Sequence, residues 1–274
     1  MIMKFGQSSF VYFNYSLKDA IRGLGKAGYD CIEIWGGRPH YYRRDLDDDL
    51  HEILALLDKY EMTVPNFIPA QFRYPSILCS LHENVRRDSV AYIMDAIDSA
   101  VKVNAGTVSI CPGTSLHGEN PDKSWMALKI SLNELVDYCE NTPISLLIEP
   151  AHKWETNLIF TVDDALRMIS EIGSDKIGIC LDTGHVHING EDFTKAVKAA
   201  GSYPLHIHID DNNGESDAHM IPGKGSIDFK PLVAALKDNG YRGCVSAELG
   251  FQYTLTPDDA VRETILVLKN MFQV

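Results

Sequence analysis

The sequence of 274 residues contains no apolar run near the ~20 residues that a helix needs to cross a bilayer. Its N-terminal segment, MIMKFGQSSF, also lacks an apolar stretch of signal-peptide length. Because neither a membrane-spanning nor a secretory segment is recognisable, we expect no membrane partner and a cytoplasmic location.

Basic residues are scarce relative to acidic ones. Lys and Arg together number 25 against 38 for Asp and Glu, so the formal net charge is −13 at pH 7. Nucleic-acid binding depends on Lys and Arg neutralising phosphates, so this balance argues against a nucleic-acid partner. It is compatible with a neutral or cationic small-molecule substrate.

CxxC spacing is absent from the six cysteines, which stand at positions 31, 79, 111, 139, 180 and 244. Cys31, Cys180 and Cys244 fall in apolar, strand-like runs. Scattered cysteines in apolar runs are typical of buried free thiols in a reducing compartment. We therefore predict free thiols.

A Gly-rich phosphate-binding fingerprint is also missing after the first strand-like segment, which weakens a Rossmann interpretation. The chain instead alternates strand-like and helical segments through eight pairs. The predicted strands are Lys4–Ser8, Cys31–Trp35, Thr63–Ile68, Thr107–Cys111, Ile144–Glu149, Ile177–Asp182, Leu205–Ile209 and Cys244–Glu248. The predicted helices are Ser16–Ala27, Asp45–Tyr60, Glu83–Asn104, Ser124–Glu140, Thr161–Ile172, Gly190–Ala200, Asp228–Asn239 and Thr256–Met271. This pattern predicts an α/β fold, a (β/α)₈ TIM barrel that forms a single domain over residues 1–274.

Long irregular segments follow the predicted strands, whereas connections after the helices are short. The long segments are 36–44, 69–82, 112–122, 150–160 and 210–226. Barrel enzymes build their active sites from the loops after the strands. The loop lengths therefore predict one functional rim at that end of the barrel.

Four polar side chains lie at the ends of strands in the second half of the chain: Glu149, Asp182, His208 and Glu248. Strand alternation points each of them into the barrel. Three carboxylates and one imidazole favour one divalent cation, with Mn²⁺ predicted and Mg²⁺, Co²⁺ or Zn²⁺ as alternatives. Glu149 and Glu248 could also exchange a proton with carbon, one on each face. The alternative is that these acids cap helices or lie in solvent.

Five motifs together resemble the xylose-isomerase-like TIM barrels, and within them the metal-dependent ketose 3-epimerases. These motifs are EPAHKWET (149–156), LDTGH (181–185), LHIHIDD (205–211), SDAHMIPGKGSID (216–228) and AEL (247–249). The run GYDCIEIWGGRPH (28–40) is similar to the subgroup of bacterial fructoselysine 3-epimerases. The resemblance covers essentially the whole chain, and its strength lies in the order and spacing of the motifs.

The resemblance implies metal ligands at the same four positions, with Glu149 and Glu248 as the catalytic acid/base pair. It further implies substrate contacts at Glu155 and His185. His219 stands where many ketose epimerases have an Arg, which leaves the substrate open.

Several other residues have a structural alternative. Trp35 and Phe251 could each form a wall of the substrate pocket or pack at the rim. His40 is a candidate substrate contact through the resemblance alone. Glu33 is predicted to be a buried, hydrogen-bonded acid, and His206 a core neighbour of His208 rather than a ligand.

The predicted function is that of a divalent-metal-dependent sugar epimerase or isomerase acting on a ketose or ketosamine. The resemblance favours epimerisation at C3, by proton removal and return through an enediolate that the metal stabilises. Alternatives are another sugar isomerase, a hydroxypyruvate isomerase or an inosose dehydratase. More distant alternatives are an apurinic endonuclease-like hydrolase and a non-catalytic sugar-binding barrel. The resemblance also implies a homo-oligomer, either a dimer or a tetramer.

Overall fold

The computed structural model describes residues 3–43, 45, 47–71 and 76–273. Eight parallel strands pair in chain order, and the last pairs with the first, so the sheet closes into a barrel. The strands are β1 (Lys4–Ser8), β2 (Cys31–Gly36), β3 (Asn66–Pro69), β4 (Thr107–Ile110), β5 (Ser145–Ile148), β6 (Ile177–Asp182), β7 (Leu205–Ile209) and β8 (Cys244–Ala247). The predicted (β/α)₈ TIM barrel is confirmed.

Helices connect successive strands and surround the barrel. They are α1 (Leu17–Ala27), α2 (Leu50–Lys59), α3 (Glu83–Lys102), α4 (Pro121–Cys139), α5 (Val162–Ile172), α6 (Thr183–Ile188), α7 (Phe193–Ala200), α8 (Lys230–Asp238) and α9 (Pro257–Phe272). Short 3₁₀ helices at Ser9–Tyr12 and Phe251–Tyr253 follow β1 and β8. Within the described part of the chain, no helix combines the length and apolarity needed to span a bilayer.

The strands are buried because helices cover their outer face and side chains fill the barrel. Every residue of β6 is buried, and Ile177, Ile179 and Leu181 belong to the main apolar core. On β7, Ile207 and Ile209 join the same core. Continuous burial on both faces is characteristic of strands in parallel sheets. The alternate residues of these strands are consequently the ones available to the barrel interior.

Connections differ in length at the two ends of the barrel, as the sequence predicts. Those after β2, β3, β5 and β7 are long, spanning 37–49, 70–82, 149–161 and 210–229. Those after α1, α5 and α7 are short, spanning 28–30, 173–176 and 201–204. The long loops share the carboxyl ends of the strands, which makes that end the functional rim.

Some predicted boundaries are wrong for identifiable reasons. Helix α2 begins at Leu50 rather than at residue 45, because residues 47–49 are three consecutive Asp residues in a turn. Asp side chains favour turns and caps over helix interiors. Strand β3 begins at Asn66 rather than at residue 63, because Pro65 has no N–H to donate to the sheet. Residues 44 and 46 lie outside the described residues.

Candidate active site

The four side chains at the strand ends converge at the carboxyl end of the barrel. Glu149 follows β5, Asp182 ends β6, His208 lies on β7, and Glu248 follows β8. His208 Nδ1 is 2.8 Å from Glu149 Oε1, 3.1 Å from Glu248 Oε2 and 3.8 Å from Asp182 Oδ2. One ligand atom from each of the four lies within 4.8 Å of the others. The structure therefore brings together all four predicted residues, which we call the ligand cluster.

Parallel pairing sets the height of each member of this cluster. Asp182 and His208 are direct partners in the β6–β7 ladder. The backbone N–H of Glu149 donates to the carbonyl oxygen of Ile110 at 3.0 Å. The backbone N–H of Glu248 donates to the carbonyl oxygen of Ile209 at 3.3 Å. The backbone of each glutamate is thus fixed by the neighbouring strand. Rigid strands hold ligands more accurately than loops do.

The chemistry of the ligand cluster fits a divalent cation. Asp182 Oδ1 accepts a hydrogen bond from the His185 N–H at 2.9 Å. Asp182 Oδ2 is buried and has no hydrogen-bond partner among the described residues. Leaving a buried charged oxygen without a partner is energetically costly. A cation bound by three carboxylates and one imidazole removes that cost.

Electrostatics within the ligand cluster agree with this fit. Burial raises the pKa of Asp182 well above its usual range, and the nearby Asp210 raises it further. Burial opposes protonation of His208, but the surrounding Cys180, Glu33 and Glu149 raise the pKa of its imidazole well above 6.5. Positive charge is therefore favoured at the centre of the cluster.

A cavity of about 1110 Å³ opens above the ligand cluster. Its lining includes five residues that the sequence predicts as substrate contacts: Trp35, Glu155, His185, His219 and Phe251. Phe10 joins two of them, because its ring lies 5.3 Å from that of Trp35 and 4.8 Å from that of Phe251. We call Phe10, Trp35 and Phe251 the aromatic wall. Trp35 is only 7% exposed, whereas Phe251 is 59% exposed.

A second group of polar side chains borders the cavity around Asp217. Asp217 Oδ2 lies 2.9 Å from His219 Nε2, 3.2 Å from His152 Nε2 and 3.3 Å from His185 Nε2. The Glu155 carboxylate lies 3.9 Å from His185 Nε2. The contacts of His219 lower the pKa of Asp217 against the opposing effect of burial. These residues form the Asp217 cluster.

The sequence does not predict the Asp217 cluster as a unit, and it gives no signal for His152. Its three imidazoles follow three different strands, β5, β6 and β7, so no local spacing links them. The one local signal is the pair Asp217 and His219, which lie two residues apart in the motif SDAHMIPGKGSID.

The structure does not support His40 as a substrate contact. Its ring is 1% exposed, and its Nε2 lies 2.8 Å from the carbonyl oxygen of Ser9. His40 is not among the residues that line the cavity in the described part of the chain. Glu33, by contrast, is buried and accepts a hydrogen bond from Asn66 at 2.9 Å, so its prediction as a buried acid is confirmed.

Known proteins resemble this chain in sequence. A family model described as the xylose isomerase-like TIM barrel matches residues 21–271. The fructoselysine 3-epimerase of Shigella flexneri is 31% identical over 264 residues, which cover 96% of each chain. The L-ribulose 3-epimerase of Methylomonas sp. (strain DH-1) is 27% identical over 256 residues, which cover 93% of this chain and 85% of that protein.

A solved structure adds a match in three dimensions. The crystal structure of a D-tagatose 3-epimerase-like protein superposes with a TM-score of 0.82 and 26% sequence identity, covering 98% of this chain and 99% of that one. The relatives carry the names of isomerase-class enzymes, and this chain is an enzyme of that class. The chain belongs to the xylose isomerase-like TIM barrel family.

Proposed function

We propose that the protein is a divalent-metal-dependent ketose 3-epimerase, with ketosamines of the fructoselysine type as its leading substrate class. The observation that carries this proposal is the placement of two glutamates. Glu149 and Glu248 follow strands β5 and β8 and approach the same nitrogen of His208, at 2.8 and 3.1 Å. Both carboxylates lie on the lining of the cavity. This arrangement suits two acid/base groups that act on one carbon.

The ligand cluster would hold the ion, with Mn²⁺ as the proposed metal and Mg²⁺, Co²⁺ or Zn²⁺ as alternatives. When bound, a divalent cation polarises a carbonyl group and stabilises the negative charge that develops on removal of the neighbouring proton. Asp182 and His208 would supply ligand atoms only, because neither is among the described residues that line the cavity. This leaves the two glutamates as the groups with a second role.

Proton transfer is the step that the glutamates perform. The hydrogen on C3 of a 2-ketose is acidic because the carbon lies next to the C2 carbonyl. One glutamate removes this proton, and the other donates a proton to the opposite face, which inverts C3. Burial opposes ionisation of Glu248, but the nearby His208 lowers the pKa of Glu248. A carboxylate that stays ionised at neutral pH is ready to accept the proton.

The rest of the cavity would orient the sugar. His185 Nδ1 lies 2.9 Å from the carbonyl oxygen of Pro150, and its Nε2 lies 3.3 Å from Asp217 Oδ2. A carbonyl oxygen and an ionised carboxylate only accept hydrogen bonds, so both ring nitrogens donate. His185, His219 and Glu155 then offer donors and acceptors for hydroxyl groups. The aromatic wall offers rings against which the apolar face of a sugar packs.

The size of the cavity supports a substituted sugar. Its volume of about 1110 Å³ lies just above the range of about 300–1,000 Å³ usual for small-molecule sites. A ketose alone does not need this space. The extra room suits a ketose that carries an amine-linked substituent.

An NMR screen of ketoses and ketosamines in D₂O with added Mn²⁺ tests the proposal. We expect inversion at C3 together with incorporation of one deuterium at C3. In protein treated with EDTA, we expect neither inversion nor deuterium incorporation. Formation of an aldose without C3 inversion would identify an aldose–ketose isomerase instead. Loss of water would identify a dehydratase. Saturable binding of these sugars with no exchange would identify a non-catalytic binding barrel.

A further inference from the structure

One buried carboxylate lies below the ligand cluster and does not line the cavity. Glu33, on β2, is fully buried, and its Oε2 lies 3.0 Å from His208 Nε2 in hydrogen-bonding geometry. The same oxygen accepts a hydrogen bond from Asn66 Nδ2 at 2.9 Å and lies 2.6 Å from His206 Nε2. Three nitrogen-bearing side chains therefore converge on one oxygen of Glu33.

The contact between Glu33 and His208 determines which ring nitrogen is available to a cation. Both nitrogens of His208 approach carboxylates: Nδ1 faces Glu149 at 2.8 Å, and Nε2 faces Glu33 at 3.0 Å. An ionised carboxylate only accepts hydrogen bonds, so Nε2 carries a proton. The proton on Nδ1 is the one that a cation can replace, because Nδ1 points toward the ligand cluster. Glu33 thus selects the tautomer that binds metal through Nδ1.

Glu33 reaches His208 across the inside of the barrel rather than along it. Strands β1 and β8 lie between β2 and β7 in the closed sheet. At the paired positions Gly6 and Ser246, these two strands carry small side chains or none. A Cβ on Gly6 would lie 2.6 Å from Cys244 Sγ and 3.4 Å from Ser246 Oγ. The barrel interior beside these two positions is therefore closely packed.

We propose that Glu33 is a positioning residue of the metal centre. It holds His208 in the tautomer and ring orientation in which Nδ1 faces Glu149, Asp182 and Glu248, while Asn66 and His206 hold Glu33 in place. This inference rests on the proposed metal-dependent function. It assigns to Glu33 a role that is neither substrate contact nor general packing.

The test compares Mn²⁺ affinity, measured by isothermal titration calorimetry, in the wild type, Glu33→Leu and Glu33→Gln. Leu fills the space without accepting a hydrogen bond, and we expect it to weaken Mn²⁺ binding about 10- to 100-fold. Gln keeps an acceptor oxygen, so we expect the Mn²⁺ affinity of this variant to fall by about tenfold at most. Glu191→Gln is the matched control, because Glu191 is a half-buried acid outside the cavity that accepts a hydrogen bond from the Val162 N–H. The Mn²⁺ affinity of this variant should equal that of the wild type.

Ring ¹⁵N NMR of His208 with Zn²⁺ supplies a readout that a packing defect would not move. We expect a proton on Nε2 and metal on Nδ1 in the wild type, and loss of the fixed Nε2 proton signal in the folded Leu variant. If the Leu variant does not fold, the same spectrum and titration on the Gln variant decide. In the Gln variant, a partial loss of Mn²⁺ affinity together with a shifted Nε2 signal supports the proposal. A wild-type Mn²⁺ affinity together with a wild-type Nε2 signal in that variant overturns it.

Three further outcomes would also overturn the proposal. The first is a folded Leu variant that binds Mn²⁺ within twofold of the wild type. The second is binding of two ions per chain, the second lost with Glu33, which would make Glu33 and His206 ligands. The third is a wild type that binds none of Mn²⁺, Mg²⁺, Co²⁺ and Zn²⁺. Failure of the proposed reaction is distinguishable, because a protein without epimerase activity would still show the affinity and tautomer changes.

Discussion

Among individual residues, Glu149 and Glu248 differ from the other members of the ligand cluster because they are proposed to exchange protons with carbon. Replacing either one by Gln keeps the shape and an oxygen donor but removes the base. We expect turnover to fall by at least ~10²-fold in each variant. Some Mn²⁺ affinity should remain, because Asp182, His208 and the other glutamate are still present. Steady-state kinetics and calorimetry measure the two effects separately.

Isotope exchange in these two variants distinguishes two bases from one. With one glutamate left, only the epimer whose C3 proton faces it can exchange. In one variant, deuterium should therefore enter one epimer without net inversion. In the other variant, it should enter the opposite epimer, again without net inversion. Equal exchange from both epimers in either variant would contradict the two-base assignment and favour a single-base isomerase.

The sequence predicts the ligand cluster because strand alternation is local. The position of Asp182 at the end of an apolar run already indicates where its side chain points. The contact between Glu33 and His208 has no such signal, since it joins β2 to β7 through the barrel interior. The meeting of His152 with Asp217 likewise depends on the paths of two long loops. Neither contact follows from spacing along the chain.

At the level of secondary structure, Asp182 connects the ligand cluster to a helix. It ends β6 and caps α6, where its Oδ1 accepts from the His185 N–H. Asp182→Asn keeps a capping oxygen, whereas Asp182→Ala removes it. In metal-free protein we expect the Ala variant to unfold about 1 kcal/mol more easily than the Asn variant. Urea unfolding in EDTA measures this difference.

Both Asp182 variants should lose most of their Mn²⁺ affinity, because each removes a negative ligand from the cluster. Equal unfolding free energies for Asn and Ala in EDTA would show that the cap contributes nothing. Wild-type Mn²⁺ affinity in the Asn variant would remove Asp182 from the proposed metal centre.

Most elements are predictable from the chain, and the exceptions are short or turn-rich. Helix α1 begins after Ser16 and ends before Gly28, as its capping pattern predicts. Helix α6 is not predicted, because its six residues are too few to show an amphipathic period. Its formation depends on the Asp182 cap and on Thr183, whose hydroxyl bonds to the backbone of Asp210. The cap is a local contact, whereas the bond from Thr183 joins two segments that are distant in the chain.

For the whole molecule, metal removal should affect activity and stability to different degrees. The barrel core is apolar and does not include the ligand cluster, so we expect EDTA to abolish turnover while circular dichroism remains unchanged. Mn²⁺ at 100 times its Kd should stabilise the protein by about 2.7 kcal/mol, because it binds only the folded state. Calorimetric melting with and without Mn²⁺ measures this. Unfolding by EDTA at ambient temperature would instead make the metal structural.

Stability should also fall at alkaline pH. Burial raises the pKa of Tyr41 to about 12, whereas an unfolded tyrosine titrates near pH ~10. The folded state therefore holds the proton more tightly, so stability is full below pH ~10 and falls as the pH rises toward ~12. Tyr41→Phe should reduce this fall by on the order of 2 kcal/mol at pH ~12.

At neutral pH, Tyr41→Phe should change the free energy of unfolding only a little. The Tyr41 hydroxyl is buried and has no hydrogen-bond partner within the described ranges. Urea unfolding of both proteins between pH ~8 and ~12 supplies the comparison. A parallel decline of the two curves would show that Tyr41 ionisation does not contribute.

The aromatic wall also has an optical consequence. Of the three tryptophans, Trp35 and Trp154 line the cavity, whereas Trp125 lies outside it, with its indole N–H on Glu171. Trp35 is 7% exposed and Trp154 is 49% exposed, so a dissolved quencher such as acrylamide reaches the second far more easily. A sugar that fills the cavity shields both indoles and leaves the emission of Trp125 as an internal reference. Intrinsic fluorescence therefore reports occupancy of the site for any ligand, including one that undergoes no reaction.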